Sequence, residues 1–147
     1  MTTSSLTKTI MIDAAPETVW AFLTDKDRLG EWYHPAAADL STDYDYALRE
    51  KGKDPSSDPT IWGQVIEMDP PRRLVTTFCI APFGDRETTL TWTLDPVAGG
   101  TRVHLVHEGI AEAAGDAPLP LLMALDAGWD EHFASLRAAG KAARAAA

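Results

Sequence analysis

Leu125-Asp-Ala-Gly-Trp-Asp-Glu-His-Phe-Ala-Ser-Leu136, near the end of the 147-residue chain, is the stretch on which the fold turns. With Leu122 just before it, the apolar residues Leu125, Trp129, Phe133 and Leu136 recur at the 3.6-residue period of a helix with one apolar stripe. The same periodicity predicts one long helix from Leu119 to about Ala143, preceded by Pro118 and Pro120. Asp126 and Asp130 fall on one side of it, and a solvated face is their expected place. Beyond Arg137 the Ala-rich tail has high helix propensity but little left to bury, so fraying is expected there. A stripe holding a Trp and a Phe must be covered, and the remaining sequence has to supply the surface that covers it.

That surface is β. Leu6 to Ile12 alternates apolar with polar residues and reads as a half-buried strand. Pro16 at a first helical position, Glu17 in the first turn and Val19, Phe22 and Leu23 at helical spacing mark a short helix. A second helix, Asp25 to Trp32, places Leu29, Trp32 and Tyr33 on one side. Tyr44 to Leu48 has the character of a strand, followed by a loop through Lys53 to Pro59. Strands then read over Ile61–Met68, Arg73–Ile80, Glu87–Leu94 and Thr101–His107, with Asp69-Pro70-Pro71 as a turn and Asp95 to Gly100 as a hairpin loop. Alternation assigns Leu74, Thr76, Phe78 and Ile80, then Thr88, Leu90, Trp92 and Leu94, then Val103, Leu105 and His107 to the inner face; a shift of one residue would invert each set. The fold class is therefore α+β: a curved antiparallel sheet wrapped around a long C-terminal helix, with two short helices after the first strand.

The length suits one domain spanning residues 1–147, with an ordered core over about residues 6–139. No run of about 20 apolar residues exists for membrane insertion. The first residues lack the basic-then-apolar order of a signal peptide, and one cysteine, Cys79, cannot close an internal disulfide, so a cytoplasmic location is expected. Thirteen basic against 22 acidic residues give a net charge of −9, which works against nucleic acid and anionic membranes as partners.

Five segments, in this order, carry a resemblance: Ala14-Ala15-Pro16-Glu17-Thr18-Val19-Trp20, Asp27-Arg28-Leu29-Gly30-Glu31-Trp32, Gly63 to Leu74, Thr101 to Gly109, and Gly128-Trp129 followed by Leu136. Together they resemble the START/Bet v 1 helix-grip superfamily (SRPBCC), and more narrowly the group named for the activator of Hsp90 ATPase (AHSA1). The resemblance covers about residues 6 to 139. It departs at Asp43 to Leu48, where many relatives carry a Gly-Gly-rich strand. It implies a cavity between sheet and helix, used by different members for lipids, sterols, polyketides, plant hormones or aromatic substrates. Neither one ligand nor one reaction follows from it, because function belongs to the site.

Motifs for chemistry are few. His104 and His107, three apart on a strand, face opposite sides and do not share a metal. His132 and Ser135 have no nucleophile elbow beside them, and Gly99-Gly100 has no phosphate-loop context. Cys79, in an apolar run, reads as a buried thiol. No catalytic residue, metal or cofactor is assigned. The aromatic content, including five Trp, either fills the core or lines a cavity. The cavity reading selects Trp32, Tyr33, Phe78, Trp92, Leu105, His107, Leu125, Trp129 and Phe133 as ligand-binding residues, with Tyr33 or His107 as the polar contact. The expected partner is an apolar or aromatic small molecule, and a homodimer is permitted without being indicated. The alternatives are a cofactor-independent enzyme of the polyketide cyclase or dehydratase type, with His107 or Tyr33 moving a proton, and a protein-interaction module resembling an Hsp90 co-chaperone.

Overall fold

The computed structural model describes residues 5–54 and 56–146; expectations touching residues 1–4, Pro55 and Ala147 lie outside these. One antiparallel sheet has the order β1-β6-β5-β4-β3-β2, built from β1 (Leu6–Ile12), β2 (Asp45–Leu48), β3 (Ile61–Asp69), β4 (Arg73–Phe78), β5 (Thr88–Val97) and β6 (Gly100–Glu108). Helices α1 (Pro16–Thr24) and α2 (Lys26–Trp32) carry the chain from the β1 edge to the β2 edge. A short α3 (Ile110–Ala113) leads into α4 (Pro118–Ala146), the gripping helix. The helix-grip, Bet v 1-like architecture expected from the sequence is the one observed.

Local chemistry explains the junctions. The Asp25 carboxylate accepts hydrogen bonds from the backbone N–H groups of Asp27 and Arg28, capping α2 where α1 ends. The Trp32 indole donates to the Phe22 carbonyl at 2.7 Å and ties the two short helices together. On β3 the register slips between Val65 and Glu67, a bulge that adds local twist and bends the strand.

The inner-face registry holds across the three central strands. Leu74, Thr76, Phe78, Thr88, Leu90, Trp92, Leu94, Val103, Leu105 and His107 are all buried. Four boundaries differ from expectation. β4 stops at Phe78, because Cys79 pairs only in an isolated bridge with Trp62 and Ile80 leads into the 3-10 turn Ala81–Phe83. The Asp95–Gly100 loop is mostly strand, closed by a two-residue turn at Ala98-Gly99 in which Gly99 adopts φ +84°. Pro96 is tolerated there because Leu94, two residues earlier, donates to Arg72 at the start of β4; the same side of the strand has no partner left at Pro96. α3 was not expected; Gly109, at φ +89°, turns the chain into it.

The fourth difference concerns the tail. α4 continues to Ala146 instead of fraying after Leu136. Gly140 is buried against Ile12 so closely that a Cβ would stand 2.5 Å from Ile12 Cγ2. Arg144 then donates to the Asp13 carboxylate at 2.8 Å and to the Gly99 carbonyl at 2.7 Å, pinning the last turns to the β1 end and the β5–β6 hairpin.

Candidate functional site

The core between sheet and α4 is an aromatic cluster threaded by one polar chain. Trp92 meets Trp129 nearly edge-on at 5.8 Å between centroids and stacks on Phe133 at 5.7 Å. Phe78 packs edge-to-face on His107 at 4.7 Å. The Trp129 indole N–H donates to His107 Nδ1 at 3.0 Å. An indole can only donate, so His107 Nδ1 is the acceptor and the ring proton sits on Nε2. Nε2–H then donates to Thr88 Oγ1 at 2.8 Å, and Thr88 passes its own proton to the Phe78 carbonyl at 2.8 Å. Helix α4 is thereby tied through β6 and β5 to β4. Burial pushes the His107 pKa down to about 3, so the ring is neutral at physiological pH and both its nitrogens are occupied.

The other side of the cluster is different. A cavity of about 30 Å³ lies between the sheet, α2 and β2, with Trp32, Tyr33, Phe78, Trp92, Tyr46 and Thr76 among its walls. That volume is on the order of one water molecule. Tyr33, at the end of α2, stacks on Trp32 at 4.9 Å with 16° between the planes and on Trp129 at 5.6 Å with 27°. Trp92 meets the Trp32 ring nearly at right angles at 6.0 Å, as it does Trp129. Tyr46 donates its hydroxyl proton to the Thr77 carbonyl at 2.5 Å, whereas the Tyr33 hydroxyl has no hydrogen-bond partner among the described residues. Burial, with a smaller contribution from neighbouring Tyr46, pushes the Tyr33 phenol well above the usual tyrosine range. It is a neutral donor at pH 7. Its outer edge meets His132 at 4.6 Å and His34 at 4.8 Å, both held below the usual histidine value chiefly by burial.

Of the nine residues selected from the sequence, all belong to or pack against one core. Trp32, Tyr33, Phe78 and Trp92 line the cavity. Leu105, His107, Trp129 and Phe133 stand in the filled part beyond it, and half-buried Leu125 packs on the core's margin. Sequence reasoning missed Tyr46 and Thr76 on the cavity wall, and Thr88 as the partner of His107. Thr76 and Thr88 did fall on the inner face by alternation; Tyr46 had only an ambiguous strand around it, in the segment where the resemblance departs.

The remaining candidates resolve into packing and surface. His104 faces away from His107, with Nδ1 2.6 Å from Thr9 Oγ1 on the outer face of the sheet. Asp126 and Asp130 do not turn inward; they lie 2.5 and 2.8 Å from the Lys8 ammonium, which edge strand β1 points toward α4. Cys79 is buried, and burial raises its thiol pKa, which suits a packing role. Among the described residues no group of three or more His, Cys, Asp or Glu is arranged to hold a metal ion, and no helix is long and apolar enough to cross a membrane.

Comparison with known proteins agrees with this architecture. CalU16 from Micromonospora echinospora is similar at 23% identity and a TM-score of 0.70, over 91% of this chain and 74% of that one. MLL2253 from Mesorhizobium loti superposes with a TM-score of 0.75 at 19% identity, over 92% of this chain and 96% of that one. The Aha1 dimer from Colwellia psychrerythraea has a TM-score of 0.73 at 19% identity, covering 93% and 96%. At these identities the likeness is one of fold. A search of curated proteins returned no match. The family model described as "Activator of Hsp90 ATPase homolog 1-like protein" matches residues 13–141, from α1 through five of the six strands and most of the gripping helix, and the chain belongs to that family.

Proposed function

We propose that the protein binds a small apolar, aromatic molecule on the Tyr33 side of the core, between the sheet, α2 and β2. The observation that carries this reading is the aromatic-lined cavity behind Tyr33, a residue whose hydroxyl has no hydrogen-bond partner among the described residues. A wall residue that holds no hydrogen bond to the protein can yield to a ligand at little cost, since nothing polar is broken when the ligand enters. His107 serves this site indirectly: it fixes the Trp129 ring on which Tyr33 stacks.

The test is thermal unfolding of the purified protein against fatty acids, sterols, aromatic polyketides and flavonoids. A ligand present at about 100 times its Kd stabilises by about 2.7 kcal/mol, which for a chain of this length is a rise of roughly 5 to 11 °C in Tm. Aromatic members of the panel are expected to give it. A flat panel overturns the reading.

A second reading, contact with an Hsp90-type chaperone, is favoured by the family match over residues 13–141 and by a similar structure described as an HSP90 activator from Plasmodium falciparum, at 21% identity and a TM-score of 0.59 over 71% of each chain. A measurable complex with purified chaperone at physiological salt supports it, and no complex removes it. An enzyme of the cyclase type would have to use Tyr33 for proton transfer, because His107 has no nitrogen free.

A further inference from the structure

Tyr33 occupies a position that resembles a bound ligand more than a wall. Its ring lies nearly parallel to two indoles, those of Trp32 and Trp129, and Trp92 stands close to perpendicular to both. Two indoles stacked on the phenol, with a third standing across both of them, bound a slot that the phenol fills. Offset stacking of this kind is what a planar aromatic guest would seek. The phenol is also the least anchored aromatic of the group. Trp32 and Trp129 each donate a hydrogen bond through the indole, to the Phe22 carbonyl and to His107. Tyr33 makes none among the described residues, is only partly buried, and sits where α2 gives way to the irregular chain leading to β2. Behind its ring is the 30 Å³ cavity. With the ring withdrawn, the slot and this cavity merge into a space on the scale of the ~150 Å³ apolar cavity that accepts benzene.

We propose that Tyr33 is a displaceable plug, standing in for a planar aromatic ligand that takes its place between Trp32 and Trp129 while the tyrosine ring swings out past His34 and His132. This rests on the binding reading above and deepens it by naming the slot and the class of guest. Occupancy of the slot by the chain's own ring lowers apparent affinity, because the binding-competent state is a minor one in the free protein.

The experiment uses 2-naphthol as probe, titrated by calorimetry into the wild-type protein and Tyr33→Ala, with 19F NMR of 3-fluorotyrosine-labelled wild type. Three tyrosines give three resonances, and Tyr33→Phe assigns the one of interest. The expected result is that both proteins bind, Tyr33→Ala about tenfold more tightly. In the wild type the Tyr33 resonance should leave its ring-current-shifted position and approach that of exposed Tyr44 at saturation. If Tyr33→Ala does not fold, the movement of the Tyr33 resonance in wild type decides the matter. Binding with Tyr33 unmoved, or with Tyr33→Ala no tighter, overturns the plug and leaves ligand binding standing. Binding by Tyr33→Ala alone shows a slot whose plug does not yield, which also overturns the proposal. Binding by neither protein overturns the plug and the aromatic-ligand reading together.

Discussion

The His107 side of the core and the Tyr33 side are made of the same materials, aromatic rings with a few hydroxyls, but they differ in how their polar atoms are settled. On the first, Trp129, His107, Thr88 and the Phe78 carbonyl form a chain in which each donor has its acceptor. On the second, a tyrosine whose hydroxyl has no partner among the described residues lines a small cavity, beside a segment with little regular structure. A fully satisfied network in a low-dielectric core rigidifies what it joins, whereas a ring that makes no hydrogen bond to the protein can move without breaking one. The first side holds α4 on the sheet; the second is where binding is to be sought.

The largest expected effect separates the two sides directly. Trp129→Ala should cost about 3 to 5 kcal/mol for the cavity, and more because the buried His107 Nδ1 loses its donor. Tyr33→Ala, removing a partly exposed ring with no hydrogen bond, should cost about 1 to 3 kcal/mol. Urea unfolding measures both, and equal losses would break the comparison.

Acid should attack the His107 side. In the unfolded chain this histidine takes up a proton near pH 6.5, but in the folded protein only near pH 3, so the unfolded state binds more protons in between. The stabilisation is complete above pH 6.5 and is lost as the pH falls toward 3, on the order of 5 kcal/mol in all. His107→Gln, which can accept from Trp129 and donate to Thr88 without titrating, should show a shallower loss over that range. An identical pH profile for the two proteins would mean that His107 is not the group responsible.

Two glycines of α4 sharpen the picture of how tightly the helix is gripped. Gly140→Ala forces a Cβ against Ile12 and should destabilise by about 1 to 3 kcal/mol, despite the better helix propensity of alanine. Gly128→Ala meets nothing within 4 Å and should stabilise by about 0.5 to 1 kcal/mol. Denaturant midpoints read the opposite signs. The smallest effect belongs to Lys8→Ala, which removes the link from β1 to Asp126 and Asp130: about 0.5 to 1 kcal/mol, shrinking as salt is added, because both carboxylates are exposed.

Much of the architecture was legible because it is local or periodic. Period-two alternation placed ten inner-face residues of β4, β5 and β6 correctly, since a slip of one residue would have put Trp92 and Leu94 in water. The 3.6-residue stripe placed Trp129, Phe133 and Leu136 against the sheet for the same reason. The tail of α4 was misjudged because its contacts are not apolar residues at helical spacing but a glycine that lets Ile12 approach and an arginine that reaches Asp13, both far away in sequence. Tyr46 was overlooked because its role depends on a carbonyl 31 residues away, which no local pattern announces.

By itself, then, the order of residues determined the strands, the helices, the face each one buries and the aromatic class of the core, because sterics and the hydrophobic effect act on neighbours along the chain. Only the tertiary structure decided which nitrogen of His107 carries its proton, which aromatic rings pack the core solid, and that Tyr33 stacks on two indoles without a hydrogen bond from its hydroxyl to any of the described residues. Those outcomes depend on directional contacts between residues brought together by folding, and direction is what a linear pattern does not encode.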